Sequence, residues 1–206
     1  PEIPDFGRHI YLVDAGPVLL APMSDKSQRE AYQVLERLGV QIILQTAVKD
    51  FTDGTVLLAD GRRIPTQTLV WASGVVGRPV PGLPEQVIGR GRRILADDGN
   101  RVIGQERIFV LGDLCLQTHE AAYPNGHPQV AQVAIQQGKL LAENLQRQSA
   151  GKPMQPFRYS DKGSMAIISK FRAVADLPGL SFRGFPAWCI WLFIHIIPLV
   201  GFRNKL

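Results

Sequence analysis

The sequence predicts an α/β protein, and three observations carry that expectation. Short apolar runs stopped by turn-forming residues alternate with stretches of helical periodicity, beginning with IYLV at 10–13 and a helical pattern ending near Leu38. Several further strand-like runs follow closely. The 206 residues are 45% hydrophobic and 20% charged without any internal repeat, which disfavours disorder, a collagen-like chain and a multi-pass membrane protein. Cys115 and Cys189 stand far apart, so neither a disulfide framework nor a structural metal site is expected, and a reducing compartment fits.

In chain order, the strand at Ile10–Val13 runs into the turn Asp14-Ala15-Gly16-Pro17. Ser24 is expected to cap a helix whose face is Ala31, Val34, Leu35 and Leu38, with Gly39 ending it. VQIILQT, TVLLAD behind an Asp53-Gly54 turn, and TLVWAS around Leu69–Trp71 read as strands. After a Pro/Gly/Arg-rich stretch, strands are expected at Arg92–Ala96 and Ile108–Leu111. Pro128 is placed in the first turn of a helix with Val130, Ala134, Leu141 and Leu145 as its apolar face, and GKPMQPF reads as a linker. The order strand, helix, strands resembles the second half of a dinucleotide-binding unit, a Rossmann-like fold entered after its Gly-rich loop.

Four signals point to chemistry. Asp14 ends an apolar strand, where a carboxylate can accept from a ribose hydroxyl and repel a 2′-phosphate; turn capping is its other role. Ser73 and Gly74 close the next strand-like run with small residues that let a ligand approach. Gly112 and Asp113 follow Ile108–Leu111, which would project a carboxylate from a strand end; helix capping is the alternative. Gln132 and Gln136 lie one turn apart on a helix whose N-terminal end favours negative charge, although a plain surface helix also fits. His119 and His127 are expected in a solvated loop and Arg90, Arg92 and Arg93 in an exposed turn. Cys115 reads as a small buried residue.

The charge is uneven. Up to Gly151 there are 15 Lys and Arg against 16 Asp and Glu, and beyond it 8 against 2, so the net charge of +5 comes from the C-terminal part. Residues 184–202 carry no formal charge, but Pro186, His195 and Pro198 leave an unbroken helix only about 16 Å long at Ala187–Ile197. That favours a segment lying in one leaflet over a spanning or core-docking helix, with Trp188, Trp191 and Phe193 facing the membrane and Arg183 and Arg203 the headgroups. A basic, aromatic tail points to an anionic membrane surface, not nucleic acid. The N-terminal PEIPDFGRH has no apolar run of a secretory leader.

WASGV, IFVLGDLC and HPQVAQVAIQQG, in this order, resemble the C-terminal half of type II NADH dehydrogenases, the FAD-dependent NADH:quinone oxidoreductases; FRYSDKGSMAIISKFRAVADL and the apolar tail extend the match. The resemblance implies parts of two dinucleotide-binding domains, an NADH part at 1–75 and an FAD part at 76–150, with a helical membrane-associated region at 151–206. It implies FAD contacts at Gly112, Asp113, Ala131 and Gln132, NADH contacts at Asp14, Ser73 and Gly74, and a quinone side at Gln132, Gln136 and Lys162, with no acid–base catalyst. Quinone, an anionic membrane and a second copy in a homodimer are the partners it allows, at the cytoplasmic face of a bacterial inner membrane, peripheral or monotopic. No G-x-G-x-x-G is present, so the chain reads as the distal remainder of both domains. The alternatives are a sulfide:quinone or other flavin-dependent pyridine nucleotide oxidoreductase, and a non-catalytic membrane-associated fragment.

Overall fold

The computed structural model describes residues 9–200, with side chains through residue 196. The expectations for Arg203 and for PEIPDFGR lie outside the described residues. The chain divides into two compact units, Pro1–Trp71 with Lys162–Leu206, and Ala72–Asp161.

In the first unit, β1 (Ile10–Val13) and β2 (Val40–Ile43) pair in parallel, with Ile10 opposite Val40 and Val13 opposite Ile43. Parallel neighbours need a crossover, and α1 (Asp25–Arg37) supplies it. Ser24 caps α1 by accepting from Ser27 N–H, as the sequence predicts. Ala31 and Val34 are buried, whereas Leu38 is the exposed C-cap instead of a core residue. A meander of β3 (Val48–Thr52), β4 (Thr55–Leu58) and β5 (Arg63–Pro65) follows, its first turn made by Asp53 and Gly54 at positive φ. Val56 and Leu58 of β4 point inward at period two.

The expected strand TLVWAS does not form. Its backbone finds no ladder partner among the described residues, and Val70 and Trp71 are 80% and 64% exposed. Ile108–Leu111 likewise shrinks to a single bridge between Phe109 and Arg101, flanked by bonds from Val102 N–H to Ile108 O and from Val110 N–H to Asn100 O.

The second unit contains a two-residue parallel pair, β6 (Ile94–Leu95) and β7 (Cys115–Leu116), over a core of Val87, Ile94, Val102, Val110 and Cys115. Its long helix α2 (Ala131–Ser149) begins three residues later than Pro128, with Val130 as N-cap. The buried positions of α2 are Val133, Gln137 and Asn144, while Val130 and Leu145 are exposed. Two of these three buried positions are amides, and each has hydrogen-bond partners elsewhere in the unit. Asn144 donates to Gln155 O at 2.8 Å and accepts from Gln155 N–H at 2.7 Å. Phe157 is buried and its N–H donates to Asp98 O, so GKPMQPF packs on this unit instead of acting as a free linker.

The C-terminal stretch holds a sheet that the sequence reading lacked. β8 (Ser164–Ser169), β9 (Arg172–Leu177) and β10 (Leu180–Gly184) form an antiparallel meander leading into α3 (Phe185–Val200). Ala173, Val174 and Ala175 of β9 are fully buried, and Ala187 of α3 joins them. Residues 162–200 thus fold back onto the first unit, where α1 packs on this sheet. Among the described residues no helix is long and apolar enough to cross a membrane.

Asp176 on β9 ties these parts together. Its carboxylate accepts from Ser24 N–H at 2.7 Å and from the hydroxyls of Ser24, Ser27 and Ser181, each at 2.9 Å. Partial burial pushes the carboxyl pKa up, but these bonds outweigh it and hold the group below the ordinary value. The ionised form is then the stabilised one, so its contribution is present at neutral pH and lost as pH falls through the lowered value. Asp176→Asn is expected to cost about 1–2 kcal/mol at neutral pH, the usual worth of a helix cap, and to shrink the loss of stability at acid pH. Denaturant melts of wild type and variant at neutral and acid pH check both effects.

Candidate functional site

The most organised polar site lies where Gly112-Asp113-Leu114, a single 3₁₀ turn, meets the start of α2. Gly112 has φ +63°, a region that favours glycine, and a Cβ there would stand 3.1 Å from Ala134 Cβ. Close approach to α2 therefore needs a small residue on both sides. Gly112 N–H donates to Gln137 Oε1 at 2.7 Å. Gln137, 1% exposed, passes its amide on to Gln117 Oε1 at 2.9 Å, and Gln117 donates to Asp97 O at 2.7 Å. The turn is thus locked to α2 through a chain of buried amides.

Asp113 is exposed on this locked turn, and its carbonyl accepts from Gln129 Nε2 at 3.1 Å. No side-chain hydrogen bond caps the N-terminus of α2 at Val130, and Ala131 there is exposed. Gly112, Asp113, Ala131 and Gln132 all belong to the second unit. Gln132 is half-buried. Gln136 donates to Ser160 O at 2.9 Å and accepts from Ser160 N–H at 3.0 Å. Its amide therefore holds backbone.

Asp14 is exposed at the carboxyl end of β1, where Oδ1 accepts from Gly16 N–H at 2.7 Å. The turn-capping role is realised, and it orients the carboxylate. Ser73 and Gly74 are exposed, with Gly74 at φ +92° in open space. Asp14 and Lys162 belong to the first unit and Ser73 and Gly74 to the second. A Cβ on Gly163, beside Lys162, would collide with the carbonyl of Asp176.

Beneath the entry to α2 lies a cluster expected to be solvated. His127 is 2% exposed, with Nε2 at 2.9 Å from Glu120 Oε1, and that carboxylate oxygen also accepts from Tyr159 N–H at 3.0 Å. The rings of Tyr123, Phe157 and Tyr159 surround the imidazole at 5.1–5.8 Å. Arg93, expected in an exposed turn, is 8% exposed and donates to the carbonyls of Cys115 and His127. Burial lowers its pKa from the ordinary value. These residues support the loop before α2. Their spacing gave little sign of it, since contact across the 93–127 interval is tertiary.

A family profile, pyridine nucleotide-disulphide oxidoreductase, matches residues 2–138. The chain belongs to that family. Two type II NADH:quinone oxidoreductases of Mycobacterium tuberculosis, Ndh and NdhA, are 36% and 35% identical over 96% of this chain and 43% of their own lengths. The chain therefore spans less than half the length of these curated relatives. The solved structure of NDH2 from Plasmodium falciparum in complex with NADH superposes with a TM-score of 0.81 at 16% identity, covering 94% of this chain and 55% of that one. At that identity the superposition establishes the fold.

Two outcomes follow from the buried polar groups. Gln137→Leu keeps the volume but takes partners from Gly112 N–H and Gln117 Oε1. A loss of about 1–3 kcal/mol is expected, read from the denaturant midpoint. Burial lowers the His127 pKa from 6.5, with the Glu120 hydrogen bond opposing the shift only in part. The unfolded chain then binds the proton more readily, so stability is full above 6.5 and falls as pH drops through the lowered value. Melts between about pH 8 and about pH 5 should show this slope, and His127→Gln should flatten it.

Proposed function

We propose that this chain is the distal part of a flavin-dependent enzyme that oxidises NADH and reduces a membrane quinone. The observation that carries the reading is the Gly112-Asp113 turn, locked by Gln137 against the open N-terminus of α2. The relatives named type II NADH:quinone oxidoreductases support it along nearly the whole chain.

The residues present fit the distal side of an FAD site. Gly112 lets the turn lie close against α2, Asp113 offers an exposed acceptor, and Val130 at the α2 N-terminus makes no side-chain cap. When bound, FAD supplies the two-electron chemistry between NADH and quinone. Asp113 accepts from a hydroxyl of the sugar-alcohol chain. The start of α2, with Ala131 and Gln132, presents the positive end of a 19-residue helix dipole to an electron-rich ring. Gln129 restrains the Asp113 backbone and Gln136 the Ser160 backbone, so both position neighbouring segments.

Asp14 of the first unit would accept from the adenosine ribose of NADH and disfavour a 2′-phosphate; Ser73 and Gly74, in the second unit, are separately assigned as small residues that would leave room for a dinucleotide. Gln132 and Gln136 of the second unit, and separately Lys162 of the first, are the residues we assign to quinone. In this reading the NADH portion is 1–75 and the FAD portion 76–150, while of the region 151–206 residues 151–161 belong to the second unit and only α3 is assigned to the membrane. The enzyme then works at the cytoplasmic face of a bacterial inner membrane, peripheral or monotopic, with Trp188, Trp191 and Phe193 toward lipid. Cys115, the thiol beside the Gly-Asp turn, is 1% exposed with its pKa pushed up to about 11, chiefly by burial, which disfavours it as the reactive thiol of a sulfide-oxidising reaction.

The test is NADH-dependent quinone reduction by the natural full-length protein. Flavin reduction by sulfide and none by NADH would overturn the proposal. Asp113→Ala is expected to weaken FAD binding by roughly 10- to 100-fold, the worth of a hydrogen bond to a charged group, with the thermal midpoint of the apoprotein unchanged. Flavin absorbance per mole of protein after gel filtration reads the loss.

A further inference from the structure

The end of the C-terminal sheet carries an exposed aromatic corner. The tight turn from β8 to β9 is Lys170-Phe171, closed by the pairing of Ser169 with Arg172. Phe171 sits at φ +60°, an uncommon region for a bulky side chain, yet is 47% exposed. Gly184 pairs with Ala173, which brings the start of α3 alongside. Phe171 meets Trp188 edge to face at 4.9 Å and Phe185 at 6.3 Å, and Phe185 stacks on Trp188 at 5.8 Å. Phe185 is 58% exposed and Phe193, further along α3, 65%.

Cations flank the aromatics. Lys170 Nζ lies 5.3 Å from the Phe171 ring centroid, and Lys170 and Arg172 are both exposed. No Asp or Glu occurs in 164–175 or in 180–196, the segments that build the corner. Arg183 of β10 meets Glu30 of α1 at 3.9 Å, but an apolar wedge beside the exposed cations Lys170 and Arg172 is complementary to a surface with anionic headgroups over an apolar interior. A flat acidic protein surface would pair the cations but leave three rings in contact with polar groups.

We propose that this corner docks on an anionic lipid surface with Phe171 as the inserted wedge, so that the β8–β9 turn and the first turn of α3 engage the membrane together. The inference rests on the membrane-facing reading of α3 and moves the first point of contact from the helix alone to the sheet end. The αL backbone at Phe171 holds the ring outward, and Lys170 and Arg172 reach headgroups on either side.

The experiment uses the natural full-length protein and co-sedimentation with vesicles of phosphatidylcholine alone or mixed with phosphatidylglycerol. Wild type should bind the anionic vesicles preferentially. Phe171→Gly removes the wedge while giving the turn a residue that tolerates positive φ; it should weaken binding roughly tenfold or more with an unchanged or higher thermal midpoint. Lys170→Glu with Arg172→Glu should abolish the preference for phosphatidylglycerol. Undiminished binding by Phe171→Gly, with binding lost in Phe193→Ser, overturns the corner and leaves the α3 reading standing. Wild-type protein that sediments with no vesicle overturns both. A concentration-dependent dimer broken by Phe171→Gly, without any vesicle effect, assigns the corner to a second copy and overturns the proposal.

Discussion

The buried amide of Gln137 fixes the geometry on which the candidate site depends. One carboxamide takes the Gly112 N–H and gives its own N–H to Gln117, so the turn, the end of β7 and helix α2 share one set of bonds. The positive φ of Gly112 and the small Ala134 let α2 lie close to the turn. Because Gln137 and the glycine backbone carry the fastening, Asp113 is spared a structural duty and stays exposed. A half-satisfied network of this kind would cost more than an apolar contact, which makes the site intolerant of imprecise side chains.

The first unit uses a similar device at another helix end. Asp176 reaches from β9 to the N-terminus of α1 and collects four donors. A carboxylate there completes the local Ser24 cap and interacts favourably with the helix dipole. It joins segments 152 residues apart, so the C-terminal sheet and α3 are oriented by the same helix that crosses between β1 and β2.

Local pattern made part of this legible. The capped helix after Ser24, the Asp53-Gly54 turn, the strand before Asp14 and the Gly-Asp element each depend on neighbours in sequence. The strands β8 to β10 carry little local signal, because Ser164–Ser169 lacks polar alternation and the apolar run GFPAWCIW follows directly, although Pro178-Gly179 marks a hairpin turn. The face of α2 was misassigned for a physical reason: Leu141 and Leu145 promised a core, but Gln137 and Asn144 are the buried pair. Amides go inside only where backbone groups await them, and those partners, Gly112 and Gln155, come from other parts of the chain. His127 and Arg93 were hidden by the same dependence on tertiary partners.

The thiol next to the turn constrains the chemistry further. Cys115 lies in the core beneath Gly112, and burial outweighs the hydrogen bonds from Asn100 and Gln137 and the nearby Arg93 charge that favour its thiolate. With its pKa pushed up to about 11, the thiol stays protonated at neutral pH and is shielded from solvent. A covalent sulfur step at this position would need a nucleophile that the fold suppresses twice, by desolvation of the thiolate and by closing off access. The turn is instead built to hold backbone still and to present a carboxylate and a helix end. Those are services to a bound group whose own electrons do the work, and they demand accuracy of position more than reactivity of any side chain.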